Sequence, residues 1–237
     1  MKYLTIDTTT KITALALGED GKLICEGFLH TGKTHSERLI PMVDQLFQAS
    51  GWKLNEVDLI GVVRGPGSFT GIRIGIATAQ GLAQVMNIPI VGVSSLDALS
   101  WAGNGRPEDT IVILDARKNE WYYARYQWQD DQRECIEGPK AIAPDALLEE
   151  LIHDGNCFFF AGDAVTVAKP FLQQGLGSKA VILSEYHYLP RGAYAASETW
   201  KVWNTNRPLD GFCTVEPVYI RASEAEVNYL KKQRASM

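Results

Sequence analysis

No run of apolar residues in this sequence approaches the roughly 18 that a membrane span requires, and residues 1–7 reach the carboxylate of Asp7 too early for a signal-peptide core. The expected location is therefore the cytoplasm. The four cysteines, Cys25, Cys135, Cys157 and Cys213, stand far apart with no C-x-x-C pair. They read as thiols in a reducing compartment rather than a disulfide frame or a zinc knuckle. Positive charge is short as well: 23 Lys and Arg stand against 28 Asp and Glu, a net charge of −5. Gripping nucleic acid relies on clustered cations, so direct nucleic-acid binding is not expected. Only four histidines occur, at 30, 35, 153 and 187, and none stands four residues from another. The spacing offers no local metal-ligand pair, and no metal is expected.

What is present is an ordinary globular composition, 46% apolar and 22% charged. Tyr3–Ile6 reads as a buried strand ending in Asp7, followed by strands over Ile12–Gly18 and Lys22–Leu29 joined at Asp20-Gly21. Thr34 with Glu37 three residues on has the capping-box pattern for a helix. Leu39, Val43, Leu46 and Phe47 give that helix one apolar face, with Ile40 and Met42 lying off it. Pro41 is expected to kink the helix, or to mark a start nearer residue 40. A strand over Val57–Val63, a glycine-rich turn, a helix over Ile72–Met86, a strand over Ile90–Val93 and a short helix capped at Ser94/Ser95 complete a first unit.

Gly103–Pro107 reads as a linker, and then the opening repeats. Ile111–Leu114 runs into Asp115, and a hairpin of Trp121–Trp128 with Arg133–Glu137 follows. A helix from Pro144, a strand over Phe158–Ala161, a helix to Gln174, a short strand at Val181–Leu183 and a helix over Ala193–Asn204 come next. Residues 216–221 read as extended. The expected fold class is α/β, a duplicated two-lobe actin-like ATPase (ASKHA) fold in which each lobe is a mixed sheet with flanking helices. The expected division is 1–103 for the first lobe, 104–222 for the second and 223–237 for a loose tail.

The stretch Gly65-Pro66-Gly67-Ser68-Phe69-Thr70-Gly71-Ile72-Arg73 invites a phosphate-loop reading, because a helix N-terminus behind glycines favours anions. It departs from G-x-x-x-x-G-K-[ST] and from G-x-G-x-x-G at Thr70, and no lysine follows Gly71. A Ser68/His35/Asp7 hydrolase triad lacks G-x-S-x-G, since Pro66 and Thr70 flank Ser68 where glycines are needed. Ser68 is better read as a helix N-cap. Asp7 and Asp115 stand where actin-like ATPases place carboxylates near Mg²⁺. They are followed by Thr8-Thr9-Thr10 and Ala116-Arg117-Lys118 rather than glycine turns, and so read as caps on strand ends. The alternative is a stand-alone ATP-dependent enzyme using Asp7, Asp115 and the glycine loop. The aromatic strand Trp121–Trp128 reads as packing, not as a base-stacking platform.

Ile6-Asp7-Thr8-Thr9, Thr34-His35-Ser36-Glu37 through Val43, Gly65 through Gly75 and Pro217-Val218-Tyr219-Ile220-Arg221 together resemble the bacterial TsaB (YeaZ) family, in its order and over essentially the whole chain. The resemblance implies a non-catalytic partner of the transferase TsaD in making threonylcarbamoyladenosine in tRNA, with the ATPase TsaE joining the complex and a homodimer forming in isolation. It implies tRNA contact only through partners. No cofactor is expected on the chain alone, and ATP only at a complex interface. The resemblance places pairing on the two first-lobe helices, where the expected contact residues are His35, Leu39, Met42, Val43, Leu46, Ile72, Ile76, Ala79 and Ala83. The stripe Gly71/Gly75/Ala79/Ala83 is expected to let a backbone approach closely. Gly65, Pro66, Gly67, Ser68, Thr70, Gly71 and Arg73 are read as a structural loop that meets nucleotide only where another subunit completes the site.

Overall fold

The computed structural model describes residues 1–32, 34–206 and 215–221. The tail expected over 223–237 lies outside them. The first half forms β1 (Lys2–Asp7), β2 (Thr13–Glu19), β3 (Lys22–Leu29), α1 (His35–Ser50), β4 (Leu59–Val63), α2 (Phe69–Met86), β5 (Ile90–Val93) and α3 (Ser95–Ser100). The second forms β6 (Asp109–Asp115), β7 (Trp121–Gln129), β8 (Gln132–Ile142), α4 (Pro144–Asp154), β9 (Phe158–Ala161), α5 (Val165–Leu176), β10 (Ala180–Val181), α6 (Glu185–Tyr188) and α7 (Gly192–Asn206).

The duplication is explicit in the sheets. One has the order β3-β2-β1-β4-β5 and the other β10-β9-β6-β7-β8, the same order read from the opposite edge. In each, an antiparallel meander occupies one side and two parallel crossovers the other: β1 pairs antiparallel with β2 and parallel with β4, as β6 does with β7 and β9. This is the expected two-lobe actin-like fold. The hairpins close through two-residue turns whose residues all have positive φ, Asp20 and Gly21 at 49° and 79°, Asp130 and Asp131 at 48° and 61°. That backbone matches the twist of paired strands, which is why Asp-Gly announced the first turn from sequence.

Packing crosses the expected boundary at residues 103/104. Helix α3, from the first half, packs on β6 and β7, whereas α7, from the second, packs on β1, β2, β4 and β5. Each half thus lends its last helix to the other half's sheet. The reason lies in the cores. Leu96 and Leu99 join the second-lobe cluster, while Ala195 and Ala196 join Tyr3, Leu59, Val63 and Val91 on the first sheet. Of the expected linker, Gly103 is packed, since a Cβ there would fall 1.8 Å from Thr110 Oγ1, whereas Gly105 is exposed with nothing within 4 Å of a Cβ.

Local details also differ. Helix α1 starts at His35 and passes through Pro41 without ending there. The buried face of Leu39, Met42, Val43, Leu46 and Phe47 holds it where the ring removes one N–H. The capping box does not form: Thr34 makes no side-chain cap bond, its Oγ1 lying 3.1 Å from Ser36 Oγ instead. Strand β8 is longer than Arg133–Glu137, and the strand expected at Val181–Leu183 is only Ala180–Val181. Tyr123 and Tyr126 of β7 are buried, in keeping with packing rather than base stacking.

Candidate functional site

The carboxyl ends of β1 and β6 face each other across a cleft of about 700 Å³ between the lobes. The first lobe supplies Thr9, Thr10, Lys11, His35 and the loop Gly67–Gly71, and the second supplies Asp115, Ala116, Arg117, Lys118, Tyr122 and Asp163. Tyr219 and Arg221 of the C-terminal segment close one side.

Asp7 ends β1 and is buried. Its Oδ1 accepts from Thr9 N at 2.9 Å and from Thr9 Oγ1 at 2.7 Å, so the carboxylate shapes its own turn, as the sequence suggested. Burial pushes its pKa up to about 6, against those two hydrogen bonds. Asp115 ends β6 in the equivalent place and is exposed; it accepts from Arg117 N at 2.8 Å. Arg117, Lys118 and Asn119 all carry positive φ, 64°, 54° and 57°. This turn of side-chain-bearing residues takes the place of a glycine turn. Asp163, which follows β9, accepts from Asp115 N at 3.2 Å, and burial raises its pKa.

The glycine loop is seated on the β1–β2 turn rather than open to a ligand along its length. Ser68 N donates to Thr9 O at 2.6 Å, and Thr8 Oγ1 donates to Gly71 O at 2.7 Å. A Cβ on Gly71 would lie 2.0 Å from Thr8 O, and one on Gly75 would lie 2.4 Å from Thr8 Oγ1. Ser68 caps α2 as expected, accepting from Gly71 N at 3.3 Å. Arg73 is exposed, with its guanidinium 3.8 Å over the Phe69 ring, and Thr70 is exposed beside it. Pro66 is buried, and its O accepts from Ser95 Oγ.

The small-residue stripe of α2 is thus filled by the chain's own turn and sheet. Leu39, Met42, Val43, Leu46, Ile72, Ile76, Ala79 and Ala83 are all buried in one first-lobe core cluster. They have little surface to offer another chain in this fold. Met42, expected to lie off the apolar face, is part of that core, because the sheet covers a wider arc of α1 than one line of apolar residues. The large apolar side chains these helices present outward are Ile40, 55% exposed, Val85, 85% exposed, and Phe69, 37% exposed. His35 is half-buried at the cleft rim, with Nε2 2.8 Å from Thr10 O and Nδ1 2.7 Å from Thr13 Oγ1. Desolvation lowers its pKa, so the neutral ring, donating to the Thr10 carbonyl and accepting from Thr13, fits the site.

Asp115 and Gly67–Gly71 line the cleft, whereas Asp7 is buried and is not among its lining residues. Asp163, Lys11, Tyr122 and Tyr219 were not foreseen as cleft residues. The strand–Gly162–Asp163 sequence was the available signal for the first of these. Among the described residues, no three His, Cys, Asp or Glu side chains gather as a metal site, and no helix is long and apolar enough to cross a membrane.

A family model described as "TsaD: tRNA N6-adenosine threonylcarbamoyltransferase" matches residues 30–229. The "tRNA threonylcarbamoyladenosine biosynthesis protein TsaB" of Bacillus subtilis (strain 168) is 31% identical over 236 residues, covering 99% of this chain and 100% of its own length. The protein of the same name from Escherichia coli (strain K12) is 36% identical over 151 residues, covering 60% of this chain and 64% of its own. A solved structure from Pseudomonas aeruginosa, described as an uncharacterized protein with similarity to peptidase YEAZ, superposes with a TM-score of 0.76 at 27% identity, covering 93% of this chain and 99% of that one.

Proposed function

This chain belongs to the TsaB (YeaZ) family, and on that premise we propose that it is a non-catalytic subunit in the transfer of a threonylcarbamoyl group to the adenosine next to the anticodon of tRNA. In this reading it forms a homodimer alone, pairs in the cytoplasm with a TsaD-type transferase, and brings in a TsaE-type ATPase. It binds no nucleotide by itself, ATP entering only where subunits meet, and reaches tRNA only through its partners. The observation that carries the reading is the match along the whole chain to the B. subtilis protein named for this biosynthesis. The cleft supports the non-catalytic part: Thr9 holds the Asp7 carboxylate, and Thr8 and Thr9 fill the space under the glycine loop.

The pairing surface is assigned to the outward faces of α1 and α2, at Ile40 and Val85, rather than to the buried residues of those helices. The test is reconstituted tRNA modification by the transferase with and without this chain. Modification that proceeds equally well without it overturns the reading. For the surface, Ile40→Glu and Val85→Glu are expected to abolish co-purification with the transferase while the chain stays folded. Val43→Glu and Ile76→Glu would instead bury a carboxylate in the core and unfold it.

A further inference from the structure

The Pro217-Val218-Tyr219-Ile220-Arg221 motif has no role in the reading above, yet it runs across the mouth of the cleft. We propose that residues 215–221 are a tie between the lobes, with Tyr219 and Arg221 as positioning residues that couple the N-terminus of α2 to the β6–β7 turn.

The segment is fastened to the first lobe at successive points. Val215 is buried in the first-lobe core, and its O accepts from Gln80 Nε2 at 3.4 Å. Val218 N donates to Arg64 O at 2.8 Å. The glycine at 65 makes that approach possible: its φ is +109°, and a Cβ there would lie 2.6 Å from Val218 O. Tyr219 then stacks on Phe69, with centroids 5.0 Å apart, and its hydroxyl accepts from Arg73 Nε at 3.1 Å. Both contacts lie in the first turns of α2.

One residue later the segment changes lobes. Ile220 packs against the second-lobe core. Arg221 Nη1 donates to Ala116 O at 3.4 Å, and its guanidinium pairs with Glu120. Ala116 and Glu120 bracket the turn that carries Arg117 and Lys118 into the cleft. The Tyr219–Ile220 peptide therefore joins the glycine loop on one wall to the β6–β7 turn on the other. Two-lobed folds commonly open and close about such a cleft by hinge motion. A bridge of this kind at the mouth opposes that motion and makes a displacement of α2 felt at the second-lobe turn.

The test is amide hydrogen exchange on the full chain, with each anchor removed separately. Exchange reports local opening segment by segment, so the two lobes are read independently. Tyr219→Ala removes contacts only on the first lobe and is expected to speed exchange in residues 116–121 of the second. Arg221→Ala removes contacts only on the second and is expected to speed exchange in residues 68–73 of the first. Tyr219→Phe keeps the stack and is expected to restore slow exchange at 116–121. Exchange that rises only in the lobe each variant touches overturns the tie.

Its use by the complex rests on the function proposed above. There Tyr219→Ala is expected to lose stimulation of the transferase while still co-purifying with it. Wild-type chain that fails to stimulate overturns the functional reading and leaves the exchange result standing. Stimulation unchanged in Tyr219→Ala overturns the coupling to the partner.

Discussion

Replacing Glu198 by alanine removes the acceptor at the centre of the joint where the exchanged helices meet. Glu198 lies on α7 and Asp97 on α3, and Arg133 of β8 reaches both. Arg133 Nη1 and Nη2 donate to Glu198 Oε2 and Oε1 at 2.7 and 3.0 Å, and Nη1 donates again to Asp97 O at 2.6 Å. Trp101 Nε1 donates to the same Glu198 Oε2 at 2.8 Å, while Tyr126 donates to Asp97 Oδ1 at 3.0 Å. The side chains of Arg133 and Glu198 are only 8% and 3% exposed. Glu198→Ala therefore leaves a buried guanidinium without its strongest partner and an indole N–H unpaired, a loss of about 3–5 kcal/mol. For a chain of this length that corresponds to a fall in Tm of roughly 10 °C. Glu198→Gln keeps one acceptor oxygen for Arg133 Nη1 and Trp101 Nε1 but sets an amide NH2 against Arg133 Nη2, and is expected to cost about 2 kcal/mol.

The companion variant Arg133→Met/Glu198→Leu removes both charges together, and it should be more stable than Glu198→Ala alone, since an apolar pair incurs no desolvation penalty. Urea unfolding of the wild type, Arg133→Met, Glu198→Leu and the double variant closes a double-mutant cycle. A cost below about 1 kcal/mol for Glu198→Ala, the range of exposed ion pairs, would refute the claim that this pair is buried and joins the lobes.

Gly71→Ala forces a methyl group onto Thr8 O, at 2.0 Å, and is expected to cost at least about 1–3 kcal/mol by overpacking. Gly81→Ala on the same helix meets nothing within 4 Å and should stabilise by about 0.5–1 kcal/mol; thermal melts of the two compare them directly. Ser68→Ala removes a formed N-cap and should cost about 1 kcal/mol, whereas Thr34→Ala, where no cap bond exists, should change the urea midpoint little. Asp7 holds its proton in the folded state up to about pH 6, while the unfolded carboxyl releases it near its ordinary 3.8. The folded state is thus fully favoured at low pH and loses ground as pH rises between these values, by about 3 kcal/mol at most. Asp7→Asn, which still offers an oxygen to Thr9, should gain stability over wild type at pH 8 and none at pH 4; a gain independent of pH would contradict the buried carboxyl.

Much of the molecule was legible in the sequence because its signals are local. The Asp20-Gly21 turn and the Ser68 cap are set by backbone angles and by bonds spanning three or four residues. The strand–Asp–hairpin pattern at Asp7 and again at Asp115 gave the duplication, since each copy builds the same sheet order from the same local pieces. Asp7 and Asp115 were legible as caps at the ends of their strands for the same reason.

Only the tertiary structure decided which faces are covered and which half owns each helix. Met42 is core and Ile40 is exposed because the sheet beneath α1 spans a particular arc, which periodicity along one helix does not define. Helices α3 and α7 exchange sheets through contacts between residues about 100 positions apart, such as Trp101 with Glu198. Asp163 reaches the cleft because β9 lies beside β6, and Tyr219 reaches Phe69 because Val215 and Val218 are fastened to the first lobe. Nothing in the local backbone preferences of those residues encodes such encounters. They follow from burying two sheets and their helices around shared cores.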